Sequence, residues 1–205
     1  MNSEIVLLVG DMLVPQRISD LNEQFKALLT PNKINHILCL GNMGSNESYD
    51  WLRSLSNNFH CVKGDYDLDE SMPETKCVQI GEFKIGIIHG HQIIPSGDIN
   101  SLCNIQRQLG CNILVSGYTH EFDIKVKDNA LFINPGSISG AFSPFIKDNS
   151  PSFILLALQG DIAILYIYLL NNDNTKYDVK KIEYTLGSNE YKEINSNEDE
   201  EEENA

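Results

Sequence analysis

The sequence predicts an α/β fold in which two mixed β-sheets pack face to face with helices outside. Two observations carry this. Short apolar runs alternate with amphipathic stretches as far as residue 62, and from about residue 76 strand-like runs dominate. The alternation implies parallel strands joined by right-handed crossovers, and the later strands need a second layer to bury their inner face.

Taken in order, "EIVLLV" (4–9), "HILCL" (36–40) and "HCV" (60–62) read as strands. Between them, "ISDLNEQFKALL" (18–29) and "ESYDWLRSLS" (47–56) carry apolar residues at helical spacing. Ser19 or Asp20 is the expected cap of the first helix, and Ser45 or Asn46 that of the second. Two apolar runs within 76–90 meet at Gly81-Glu82, a hairpin signal. A third helix is predicted over 99–110, before the strand "NILVSG" (112–117). Strands then follow at 121–126, 130–136, 152–159, 161–170 and 177–186, with a tight turn at Gly160-Asp161 and an Asn-rich turn at 171–174.

Composition limits the function classes. At 205 residues and 41% hydrophobic content, the chain fits one globular domain. No apolar run approaches the roughly 18 residues of a membrane span. The opening "MNSEIVLLVGDM" reads as a first strand and not as a secretory leader. The five cysteines form no C-x-x-C pair, which favours reduced thiols over a disulfide framework. The net charge of −14 argues against nucleic acid as a partner. Six acidic residues and no base occupy "NSNEDEEEENA" (195–205). The expected organisation is therefore a domain over 1–188 and a solvated, disordered acidic tail over 189–205.

Polar residues collect at the ends of the strands. Asp11 follows the first, Asn42 the second and Asp65 the third, while His89 ends the fifth and His120 follows the 112–117 run. Loops past the carboxyl ends of parallel strands gather in one crevice. Five oxygen or imidazole donors gathered there form the frame of a metal site. The competing reading pairs His89 and His120 with neighbouring carboxylates and gives His91 a supporting role in its loop.

The ordered blocks "GD" (10–11), "GN" (41–42), "GDYD" (64–67), "HGH" (89–91) and "GYTH" (117–120) resemble the calcineurin-like metallophosphoesterases. The resemblance implies a four-layer α-β-β-α sandwich built around a two-metal phosphoesterase centre. It also shows where this chain departs from the enzymes. Leu13 and Tyr118 stand where the enzymes carry imidazole ligands, and Asn42 replaces the bridging carboxylate. Asp65 stands where they carry Asn, and Tyr66 where they carry the His over the leaving group. A neutral phenol with a pKa of about 10 is a poor general acid near pH 7. A non-enzyme is expected, needing no cofactor and holding at most a weakly bound divalent cation, zinc or manganese, through Asp11, Asn42, Asp65, His89 and His120.

Within that family the likeness runs to its retromer branch, through "NKINHILCLGN" (32–42), "ESYDWL" (47–52), "GEFKIGIIHGHQIIP" (81–95), "NPGSISGA" (134–141) and "PSF" (151–153). The resemblance implies a cytoplasmic scaffold, peripherally associated with endosomal membrane and serving endosome-to-Golgi retrograde transport. Its crevice would dock the helical-repeat subunit, vacuolar protein sorting-associated protein 35, with Ile93 and Ile94 as exposed anchors. Leu28, Leu155, Tyr166 and Tyr168 match a second surface that recruits small-GTPase regulators. The alternative is a divergent metal-dependent phosphoesterase with weak activity.

Overall fold

The computed structural model describes residues 3–30, 33–144, 147, 149–171 and 176–194. In chain order the elements are β1 (Glu4–Val9), α1 (Glu23–Leu29), β2 (His36–Cys39), α2 (Asn46–Leu55), β3 (Asn58–Cys61), β4 (Thr75–Ile80) and β5 (Phe83–Ile88). They continue with α3 (Ile99–Leu109), β6 (Ile113–Ser116), β7 (Phe122–Lys127), β8 (Ala130–Pro135) and β9 (Ser152–Gln159), then β10 (Ile162–Leu170), β11 (Tyr177–Thr185) and β12 (Lys192–Ile194).

Seven strands form one sheet in the order β12-β11-β10-β9-β1-β2-β3, and five form the other in the order β4-β5-β6-β8-β7. Both are mixed. β1, β2 and β3 run parallel, and β9 joins β1 antiparallel. In the smaller sheet β5, β6 and β8 are parallel, flanked by antiparallel β4 and β7.

Side-chain alternation divides the core into three. Val6, Leu8, Leu38, Ile85, Val115, Ile133, Leu156 and Leu165 pack between the sheets. Leu7, Val9, Ile37 and Phe153 face the other way, against Phe25 and Leu29 of α1 and Leu52 of α2. Ile88, Leu114 and Phe132 meet Leu102 and Cys103 of α3. Period-2 strands thus have both faces covered over much of their area, which gives the expected four layers. Asp128 and Asn129 both have positive φ, closing the β7–β8 hairpin as a primed turn would.

Two boundaries differ from expectation. α1 starts at Glu23 and is capped by Asn22, whose side chain accepts from the Gln24 amide. Asp20, an expected cap, instead accepts from the Leu21 amide at 2.8 Å and pairs with Lys26 at 2.7 Å, holding a turn ahead of the helix. At the other end, β12 pairs with β11 through Lys181–Ile194 to Glu183–Lys192, a strand that lies past the expected boundary at 188. A strand of three residues has no periodicity to read. The acidic run 195–205 and positions 172–174 of the Asn-rich turn lie outside the described residues.

Candidate metal crevice

The ends of β1, β2, β3 and β5 deliver Asp11, Asn42, Asp65 and His89 to one point, and the loop after β6 adds His120. The backbone bends sharply to do this. Among the described residues, five of the seven non-glycine residues with positive φ are Asp11, Leu13, Asn42, Tyr118 and His120, all at the crevice. Such conformations cost free energy and persist only where the surroundings fix them. Gly64 shows how tight the packing is, since a Cβ there would run into the Asn42 side chain.

Asn42 lies at the centre. Its side-chain nitrogen is 3.1 Å from Asp11 Oδ1, 2.8 Å from Asp65 Oδ1 and 3.1 Å from His89 Nε2. Its side-chain oxygen accepts from the Tyr66 amide at 2.9 Å, which fixes the orientation of the group. The amide therefore turns its hydrogens toward the two carboxylates, where a two-ion centre needs a bridging oxygen. Its backbone N–H donates to Asp67 Oδ2, which also accepts from Gly64 N, both at 2.8 Å. Tyr49 donates to the other Asp67 oxygen at 2.7 Å. Asp67 thus braces the loop that presents Asp65, a role visible in the sequence only as the second acid of "GDYD".

The electrostatics follow from this packing. Burial pushes the Asp11 carboxyl up, but His89, His120 and Asn42 outweigh it and hold it below the usual carboxylate range. Burial likewise raises Asp65, while hydrogen bonds from His89 and Asn42 bring it down to about 2. For His89, burial disfavours the charged ring. Asp11, Asp65 and the Leu40 carbonyl more than offset that, so its pKa is raised. Nδ1 of His89 donates to the Leu40 carbonyl at 2.6 Å, leaving Nε2 toward Asp65 at 3.2 Å. His120 Nδ1 meets the Ala141 carbonyl at 2.7 Å, and its Nε2 lies 3.5 Å from Asp11.

All five predicted donors therefore converge, and both histidines also pair with carboxylates as the competing reading has it. Sequence reasoning missed His91 as a candidate donor. Asp65, His89 and His91 each offer a ligand atom, and these atoms lie within 4.8 Å of one another. The two-residue spacing of "HGH" is the signal that could have found it.

A small cavity of about 100 Å³ opens here, lined by Asp11, Leu13, Asn42, Asp65, Tyr118 and His120 among others. Apolar surface is exposed near its mouth. Tyr66, which also lines it, is 60% exposed and Phe142 is 62% exposed. Arg17, another lining residue, donates to the Phe142 carbonyl at 2.6 Å and to the Tyr66 hydroxyl at 2.9 Å.

The expected anchors separate. Ile94 is 84% exposed, whereas Ile93 is 4% exposed and belongs to the core beneath α3. Adjacent residues on this loop face opposite ways, so Ile93 is corrected to a packing residue. Leu28, Leu155, Tyr166 and Tyr168 are all half-buried on the α1 side of the larger sheet. Leu155 and Tyr166 are cross-strand partners, and Tyr168 stacks on Phe153 at 4.7 Å.

Two mixed sheets between helices, with carboxylates and imidazoles at their strand ends, define a metallophosphoesterase frame. Residues 5–161 match the calcineurin-like phosphoesterase superfamily domain. Vacuolar protein sorting-associated protein 29 of Schizosaccharomyces pombe is 35% identical over 184 residues, covering 88% of this chain and 97% of that protein. The structure of Vacuolar Protein Sorting 29 from Cryptosporidium parvum aligns with a TM-score of 0.84 at 41% identity, over 89% of this chain and 98% of that one. Vps29 from Entamoeba histolytica, complexed with Zn²⁺, aligns at 0.81 and 39% identity, over 87% and 98% of the two chains. The chain belongs to the calcineurin-like phosphoesterase superfamily and, within it, to the Vps29 family.

Proposed function

We propose that this chain is a non-catalytic scaffold subunit of a retromer-like complex in endosome-to-Golgi retrograde transport. It docks the helical-repeat subunit, vacuolar protein sorting-associated protein 35, on the crevice side. The observation that carries this reading is Ile94, a large aliphatic side chain 84% exposed on the loop that follows His89. An isolated exposed isoleucine is unremarkable, but Tyr66 and Phe142 add exposed aromatic surface at the mouth of the crevice. Aromatic anchors and a partly closed polar floor are the materials of an interface.

Absence of catalysis is part of the proposal. Two-metal hydrolysis needs two cations about 3.5–4 Å apart with a bridging ligand between them. Here the centre holds the hydrogens of a neutral amide. Tyr66, 60% exposed, stands in the place of the acid. The second surface, Leu28, Leu155, Tyr166 and Tyr168, is proposed for small-GTPase regulators. No helix among the described residues is long and apolar enough to cross a membrane, which fits peripheral attachment through partners.

The test is Ile94→Asp, assayed by calorimetry against the purified helical-repeat subunit. Burying an unpaired carboxylate costs several kcal/mol, and a loss of about 4 kcal/mol weakens binding roughly a thousandfold. Thermal stability should not change, because the residue makes little contact in the free chain. Undiminished binding would remove Ile94 from the interface. Robust metal-dependent hydrolysis of an aryl phosphate, lost in Asp11→Ala, would restore the enzyme reading.

A further inference from the structure

We propose that Cys77 and Cys111 form a peroxide-responsive thiol pair, which on oxidation closes into a disulfide between the edge strand β4 and the end of α3. This pair lies outside the crevice, and its chemistry is independent of any docking at Ile94. The two thiols are organised around Gly86 in β5. A Cβ there would fall 2.8 Å from Cys111 Sγ and 3.0 Å from Leu109 Cδ1. The space that a side chain would take is therefore filled by the Cys111 sulfur, reaching in from the turn after α3.

Cys77 faces the same space from the other side. It is the antiparallel partner of Gly86 in the β4–β5 ladder. Partners in such a ladder share a face, with Cβ positions about 4.5–5.5 Å apart. Both sulfurs thus border the gap left by the glycine, and both reach the last turn of α3. Cys77 Sγ lies 3.8 Å from the Leu109 carbonyl oxygen, and Cys111 Sγ lies 3.8 Å from that of Gln106. A disulfide needs its Cβ atoms roughly 3.5–4.5 Å apart. β4 is the edge of its sheet, so it is free to make the approach that closure asks for.

The two thiols differ in the way a stepwise oxidation requires. Cys77 is exposed, so a small peroxide reaches it. Cys111 is 2% exposed, and burial together with the neighbouring Cys77 pushes its pKa up to about 11. It stays a thiol and is shielded from direct attack. In the first step the Cys77 sulfur takes one oxygen of hydrogen peroxide as the O–O bond breaks, giving a sulfenic acid and one water. In the second, the Cys111 sulfur attacks the sulfenic sulfur. The S–S bond forms, the S–O bond breaks, and hydroxide leaves with the Cys111 proton as a second water. A dithiol reductant returns the two electrons and two protons. Cys39 and Cys61 are also ladder partners, on parallel β2 and β3, but neither of them is exposed to meet the peroxide. The Cys77–Cys111 bridge closes the segment that carries β5, the Ile94 loop and α3.

The test is oxidation of the full chain by hydrogen peroxide in chelator, followed by alkylation and mass spectrometry. Alkylatable thiols should fall from five to three, and trypsin should release residues 77–84 joined to 108–125. The oxidised chain should melt several degrees higher, because the bridge restricts the unfolded state, and dithiothreitol should reverse the shift. Cys111→Ser should trap the Cys77 sulfenic acid, detected as its dimedone adduct. Cys77→Ser, at an exposed position that the fold tolerates, should keep its remaining thiols reduced. If Cys77→Ser is oxidised as readily as wild type, or the bridge joins Cys39 to Cys61, the proposal is overturned. Five free thiols after excess peroxide, or Cys77 bridged only between two chains, overturn it equally.

Discussion

Asn42 governs what the crevice does without metal. Its amide gives hydrogens to Asp11 and Asp65, and His89 lies beside the same carboxylates, which favour its protonated form. The cluster is thus held by protons and dipoles, and its stability should depend on pH in a definite direction. The pKa of His89 is raised above 6.5, so its contribution is complete below that value and fades as pH rises through the folded value. That of Asp65 is depressed from 3.8 to about 2, so its contribution is complete above 3.8 and is lost as pH falls through about 2. In chelator the melting temperature gained from this cluster should peak between about pH 4 and 6.5. His89→Gln measures the alkaline side, because its melting temperature should approach that of wild type as pH rises past the folded pKa. A constant difference from pH 5 to 9 would show that His89 is neutral in the fold throughout.

Among the elements, legibility followed the strength of local pattern. Strands buried on both faces, such as β1, β5 and β9, declare themselves as apolar runs, and the strand-end donors could be ordered because strand ends share an edge. The convergence of Asp11, Asn42, Asp65, His89 and His120 on one crevice is therefore legible in the sequence. Ile93 is not, because a loop has no period that says which of two adjacent isoleucines turns inward. His91 was hidden for a related reason, since its value as a donor depends on where Glu74 and Asp65 fall. β12 escaped because "KEI" carries no hydrophobic alternation; only the neighbouring β11 gives it a partner. This leads to a prediction at the same scale. Removing 195–205 should leave the melting temperature unchanged within error, since six acids and no base cannot contribute to a packed core. Removing 189–205 exposes β11 as an edge and strips Lys192–Ile194 from it, and should lower the melting temperature by several degrees. Equal melting of both truncations would mean that β12 contributes nothing to the sheet.

For the whole molecule, the two proposed partner surfaces belong to different layers. Ile94 follows β5 of the smaller sheet, next to the core under α3. Leu155 and Tyr166 sit on the outer face of the larger sheet, beside α1. Between them lies the shared core, and stacked sheets are about 10 Å apart before side chains and outer layers are counted. Sites so separated, with no shared partners, contribute independently, and their effects should add within about 0.5 kcal/mol. Tyr166→Ala should therefore leave affinity for the helical-repeat subunit unchanged, while the assembled pair loses its capture of small-GTPase regulators. Ile94→Asp should do the reverse, and the double variant should lose both without further destabilisation of the fold. Tyr166 is only half-buried and borders Lys181, so its truncation leaves no large cavity. If Tyr166→Ala weakened helical-repeat binding as much as Ile94→Asp, the two faces would be one interface. The chain would then wrap a single partner instead of bridging two.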